Sequence, residues 1–213
     1  MKRLAAVLGG AALLALVAGP SFAQSSGNFS ASFGSTECAI DDATGTLSGG
    51  IQSLPPVTVK VSSGSGVALV ITPSLVTGLF TQNTITSKNS VSTQNVGIEV
   101  QVAVDGSTAD VVPELGSDGV LYDQRFIQVS SSVISSLAGC SSLSGGSCFQ
   151  LTESTLSAHS FNFYIFGLSP GTHTVTVSWT IEGGTSGEAE CVGPGTLTVT
   201  QVKNFSFDTP LSF

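Results

Sequence analysis

Positive charge is scarce in this chain. Only six of 213 residues are Lys or Arg, against 14 Asp and Glu, for a formal net charge of −8. Lys2 and Arg3 are two of those six, so beyond residue 23 the balance becomes 4 − 14 = −10. A surface so poor in cations cannot neutralise a phosphate backbone, which argues against nucleic acid as a partner. An anionic bilayer surface is disfavoured for the same reason. Aromatics with a polar handle are scarce too: one Trp and two Tyr, a thin supply for stacking on sugars. Charged residues make up only 9% of the chain, so Ser, Thr and Gly must fill much of the surface.

Chemistry-bearing patterns are equally sparse. No strand-to-helix nucleophile elbow of serine hydrolases is read: the one Gly-x-Ser-x-Gly spacing, Gly167-Leu-Ser169-Pro-Gly171, turns into a strand instead, and Cys-x-x-Cys spacing for zinc is absent. The two histidines, His159 and His173, are 14 residues apart with nothing to pair them as metal ligands. No catalytic residue set can be named, and the expected protein is not an enzyme. No cofactor is expected.

What is present is period-two alternation. Val96, Ile98, Val100, Val102 and Val104 are apolar, with Gly97, Glu99, Gln101 and Asp105 between and after them. Strand side chains point alternately to opposite faces, so such a run buries one face and wets the other. The pattern returns at Val57, Val59 and Val61, and at Val175, Val177, Trp179 and Ile181. Val67–Ile71 is apolar on both faces, as in a strand covered on both sides, and Pro73 is expected to end it. Phe29, Ala31 and Phe33 alternate with serines as a first strand, and most of the 12 Phe are assigned to the core. Tyr122–Val129, His159–Leu168 and Thr196–Lys203 read as further strands. Asp105-Gly106 and Asp118-Gly119 are turn signals. The expectation is an all-β, antiparallel sandwich of roughly nine to eleven strands, with one short helix near 130–138 where Val133, Ile134 and Leu137 share a helical face.

The N-terminus predicts export. Lys2 and Arg3 precede an apolar stretch from Leu4 to about Gly19, and Ser21-Phe22-Ala23 offers a small-residue cleavage site before Gln24. The stretch is roughly 16 residues, short of the ~20 a membrane-spanning helix needs. The expected organisation is a cleaved signal at 1–23 and a single β-sandwich domain at 24–213. The mature chain then belongs to the periplasm, the cell surface or the exterior, with no membrane span remaining. In that compartment Cys38, Cys140, Cys148 and Cys191 are expected to form two disulfides. Cys140 and Cys148 flank a flexible Ser/Gly loop that closes easily, which leaves Cys38 for Cys191.

Around Leu168, Gly171, His173, Val175, Val177 and Trp179 the chain resembles bacterial Ig-like domains of surface proteins, which carry a Leu-x-x-Gly-x-His-x-Val-x-Val run. The resemblance spans about a dozen residues of the 213. It implies an Ig-like sandwich with binding or structural duty.

Two further features set expectations. Asp105, Asp110, Asp118 and Asp123 form an acidic connection, and oxygen-rich loops of this kind are where calcium, with six to eight ligands, would bind. His173 shares the inward parity of its strand and is read as a hydrogen-bonded histidine at the core's edge. The C-terminal Phe205, Phe207 and Phe213 would suit the last strand of an outer-membrane barrel, although Pro210 interrupts it. The reading that follows is an exported, non-catalytic binding or structural module whose partner is a protein, a surface or a second copy of itself. Its alternatives are a secreted hydrolase with a carboxylate site and a small outer-membrane β-barrel.

Overall fold

The computed structural model describes residues 28–64, 66–86, 91–113, 119–130, 147–183 and 186–203, the side chains of 147 and 148 excepted. The expected signal at 1–23, the Cys140–Cys148 pairing, Asp118, the C-terminal tail and positions 131–138 of the expected helix lie outside those residues. Position 130 itself ends a strand.

The described residues form twelve strands, all antiparallel in their pairings, in two open sheets rather than one closed cylinder. The larger sheet runs β1 (Phe29–Gly34), β12 (Glu188–Lys203), β5 (Val67–Thr86), β10 (Phe163–Phe166), β7 (Val111–Val112), with β9 (Ser147–Ser160) also on β5. The smaller runs β4 (Val57–Val61), β11 (Gly171–Glu182), β6 (Val91–Val104), β8 (Val120–Ser130). A small hairpin, β2 (Cys38–Ile40) with β3 (Leu47–Gly49), stands apart. The count exceeds the nine to eleven expected because β2, β3 and β7 are only two or three residues long, too short to leave a periodic trace.

The alternating runs meet between the sheets. Val96, Ile98 and Val100 of β6, Leu69 and Ile71 of β5, Val175 of β11, and Leu197 and Val199 of β12 are all fully buried. Each such side chain contributes on the order of 1.5–3 kcal/mol by leaving water. Asp105-Gly106 makes the expected turn after β6: both residues have positive φ (51° and 81°), and Val104 and Ser107 exchange backbone hydrogen bonds across them. This is the primed two-residue turn that matches strand twist, and the reason Asp-Gly is used.

The run expected as one strand over His159–Leu168 is divided between β9, which ends at Ser160, and β10, Phe163–Phe166, and three further expectations fail, each for a physical reason. Pro73 does not end its strand; β5 runs 20 residues, through it, to Thr86. On one edge of β5, β10 pairs only as far as Ile71 and β9 begins only at Ser74. Pro73 sits in that gap, where a missing N–H leaves no ladder partner stranded. Ile181 is 46% exposed although its parity is inward. On the side of β11 away from β6, the flanking strand is Val57–Val61, and that pairing stops at Val175. The far end of β11 is therefore a bare edge, where Trp179 is half-buried and Ile181 is wet. The third failure concerns phenylalanine. Phe29 and Phe33 point out of the sandwich, at 65% and 73% exposure, while Ser30 and Ser32 take the inner side. Phe126, Phe161 and Phe166 are exposed as well.

Cys38 and Cys191 are joined, Cα atoms 5.8 Å apart, across 153 residues of chain. The bond clamps the β2–β3 hairpin onto the outer side of the larger sheet, over Gly78. A Cβ at Gly78 would lie 2.8 Å from Cys191 Sγ and 3.1 Å from Leu47 Cδ2, so only glycine lets the hairpin approach so closely. A disulfide of this kind belongs to an oxidising, extracytoplasmic environment.

Candidate functional site

His173 enters the sandwich rim from β11 and is held on both nitrogens. Nδ1 lies 2.7 Å from Asp105 Oδ2 and Nε2 lies 2.8 Å from the Ser169 carbonyl. Both partners are acceptors, so the ring must donate twice, which only the imidazolium can do. The Asp105 hydrogen bond, then the Ser169 carbonyl, raise the histidine pKa above its ordinary 6.5. The Thr174 backbone N–H (2.9 Å to Oδ1) and then His173 hold the Asp105 carboxyl below its ordinary 3.8. With no free lone pair, His173 is a clasp closing the β6–β7 turn onto β11 rather than a general base.

A second polar group closes the opposite seam, where edge strand β8 of the smaller sheet meets β5 and β9 of the larger. Tyr122 donates to the Pro73 carbonyl at 2.9 Å. Burial pushes its phenol well above its ordinary value. Thr77 donates to Asp123 Oδ2 at 2.9 Å, and His159 Nε2 lies 3.6 Å from the same oxygen. Arg125 donates to the Leu79 carbonyl (3.3 Å) and to Thr155 Oγ1. These contacts fill the place where a sheet edge would otherwise leave carbonyls open.

The acidic connection is therefore dispersed among the residues described. Asp105 is committed to His173 beside Thr174, and Asp123 pairs with Ile98. Ile98 and Val104 are six residues apart on β6, so the two carboxylates are separated by about 20 Å at strand rise. Asp110 is exposed at a positive-φ position (65°). Among the described residues no group of three or more His, Cys, Asp or Glu could hold a metal ion.

Two acids that the sequence reading passed over do share an environment. Glu188 and Glu190 of β12 pair with Thr81 and Leu79 and so face the interior. Burial, then the neighbouring Glu188, raises the Glu190 pKa, while Glu188 Oε1 accepts from the Asn95 backbone N–H at 2.7 Å. Thr81 and Asn83 lie deeper, both fully buried, with Thr81 Oγ1 and Asn83 Nδ2 unpartnered.

The outer face of the larger sheet forms a coherent surface. Register defines its rows: Phe29, Thr200, Val70, Tyr164 and Val112 cross the sheet in one line, and Phe33, Thr196, Ser74 and Ser160 in another. Ala31, Thr198 and Thr72 lie between them, and Val202, Ala68 and Phe166 beyond. None of these positions carries a charge. Tyr164 and Phe166 stack on each other, ring centroids 6.4 Å apart at 11°. From Phe29 to Tyr164 is three strand spacings, about 14 Å. Where β12 shifts register between Val192 and Gly195, a shallow groove of 380 Å³ opens beside Phe33, floored by Ser74, Val76 and Ala158. The lower half of the same face, Gly78 and Phe80, is hidden beneath the disulfide-clamped hairpin.

The sequence reading missed this face because serine fits either side of a strand, so Phe-Ser alternation fixes the period and not the direction. The usable clue was Thr196, Thr198 and Thr200, whose own alternation with Leu197 and Val199 marks the outward side. No protein-family profile matches the chain, and no curated protein is similar to it.

Proposed function

We propose that this protein is a non-catalytic binding or structural module exported to the periplasm or cell surface, and that the uncovered outer face of its larger sheet receives an uncharged partner. The observation that supports it most is the absence of any charge across those rows, in a chain of net charge −8. Acids are abundant elsewhere and keep a protein soluble, so a face without them, set with exposed Phe29, Phe33, Tyr164 and Phe166, is the surface most readily desolvated. The neighbouring hydroxyls of Thr196, Thr198 and Ser74 supply hydrogen bonds without charge. A sandwich stapled by Cys38–Cys191 holds such a face preorganised. The Ig-like resemblance around Leu168–Trp179 agrees with that duty.

The test is adsorption of the purified protein to neutral insoluble polysaccharides and to washed cell envelopes, beside Tyr164→Lys/Phe166→Lys. Binding that survives about 0.5 M salt, where charges are screened within a few ångströms, and falls about tenfold in the variant, or ~1.4 kcal/mol, is the expected result. Equal retention of both proteins, or no retention of either, contradicts the reading. The hydrolase alternative rests on Glu188 and Glu190. Hydrolysis of a glycoside or ester substrate, abolished by Glu190→Gln, would move the protein to that class.

A further inference from the structure

Every open sheet has edges, and unpaired edges recruit other strands unless something guards them. In this molecule the guards differ from edge to edge. β8 carries Asp123 and Arg125, whose side chains are engaged by the other sheet. β9 carries Glu153 and His159, β4 carries Lys60 and is preceded by Pro55 and Pro56, and β7 is two residues long. The bare far end of β11 is closed only by Glu182, and among the edge strands open along their whole length β1 alone has neither charge, proline, bulge nor brevity. Its Phe29-Ser-Ala-Ser-Phe-Gly34 pairs with β12 on one side and, among the described residues, with no strand on the other.

We propose that β1 pairs antiparallel with β1 of a second copy of this chain, about a two-fold axis at Ala31, joining two larger sheets into one. The register follows from the sequence of the strand itself. With Ala31 opposite the partner's Ala31, Phe29 falls opposite the partner's Phe33 and Phe33 opposite the partner's Phe29. An isologous contact requires this self-complementarity, in which each residue meets its counterpart across the axis. All four rings then lie on the outer face, where Phe29 and Phe33 are already 65% and 73% exposed, and directly opposed aromatics are favourable cross-strand pairs. Ser30 and Ser32 meet on the inner side. The chain is strongly acidic, yet β1 contributes no acid to the axis, so the net charge does not forbid the contact. One six-residue strand and two rings from each copy stand at or below the low end of specific interfaces, about 1,200 Å², so the dimer is weak and concentration-dependent.

The inference stands on the open edge of β1; its Phe29 and Phe33 also belong to the face proposed above, but association and adsorption are read separately and Tyr164→Lys/Phe166→Lys leaves β1 untouched, so either can fail alone. Sedimentation velocity of the wild type from about 1 µM to about 1 mM, the range a small interface demands, should show the mass doubling. Ala31→Lys and Ala31→Glu each place two like charges opposite one another, which is destabilising, and should each weaken association about tenfold or more. Mixing the two variants should restore the doubling, because the ammonium introduced in one copy then meets the carboxylate introduced in the other. Ala31 is exposed, so both variants should melt as the wild type does, and Phe126→Lys on β8 should leave association unchanged. A wild type that stays monomeric throughout, a doubling that both variants retain, or a mixture that fails to associate overturns the proposal.

Discussion

The outer faces of the two sheets are built by one rule and finished in opposite ways. On the smaller sheet the outward positions include Lys60 of β4, Glu99 and Gln101 of β6, and Thr174, Ser178 and Glu182 of β11. In the rows of the larger sheet they are Phe, Tyr, Val, Ala, Thr and Ser, with no charge among them. The buried apolar positions where the two sheets meet are nearly interchangeable sets of Val, Leu and Ile. Burial thus dictates only every second residue of a strand, and the other half is free to be solvated or to be used. Part of the larger sheet's apolar exterior is covered by the chain's own hairpin.

Removing that cover breaks the comparison most severely. Cys38→Ser/Cys191→Ser frees a loop of 153 residues, and the chain-entropy argument puts the loss at up to about 5 kcal/mol. At about 2–4 °C per kcal/mol for a chain of this size, a melting temperature lower by up to about 10–20 °C is expected by calorimetry, with Phe80 newly accessible to solvent quenchers. An unchanged melt would mean that the hairpin is not held by the bond.

A smaller effect separates inside from outside on neighbouring strands. Ile71→Ala, at a fully buried site, should cost about 2–5 kcal/mol in chemical denaturation. Phe29→Ala, at an exposed one, should stay within about 0.5 kcal/mol despite removing the larger side chain. Similar costs for the two would reverse the assignment of faces on β1.

The smallest expected effect concerns the clasp on the charged side. The raised His173 pKa gives stability that is complete below its ordinary 6.5 and lost as pH rises through the folded value. The lowered Asp105 pKa gives stability present above its ordinary 3.8 and lost as pH falls through the folded value. The clasp is therefore strongest between about pH 4 and 6.5. In Asp105→Asn the melting temperature should decline less steeply between about pH 6 and 8 than in the wild type; an identical slope would show that the pair does not respond to pH.

Much of the fold was legible because the core obeys period two. Val96–Val104, Val57–Val61 and the Asp105-Gly106 turn follow directly from alternation and turn chemistry, and Cys38 was left for Cys191 once the other two were paired. The failures share one cause: they depend on neighbours a single strand does not contain. Whether Pro73 ends a strand depends on where β9 and β10 stop. Whether Ile181 is buried depends on the length of β4. Which way Phe29 points depends on β12. Of the candidate site, the acids were visible as a run along the chain, and the structure places Asp105 and Asp123 in separate seams. The charge-free face was hidden because it is assembled from strands far apart in sequence.

The central claim, that the two exteriors differ in use, is tested most directly by one paired measurement. Thr196→Lys on the larger sheet and Ser178→Lys on the smaller each add a single cation at an exposed strand position. Salt-resistant adsorption to neutral polysaccharide and cell envelopes should be lost in Thr196→Lys and kept in Ser178→Lys. Loss in both, or in neither, would contradict it.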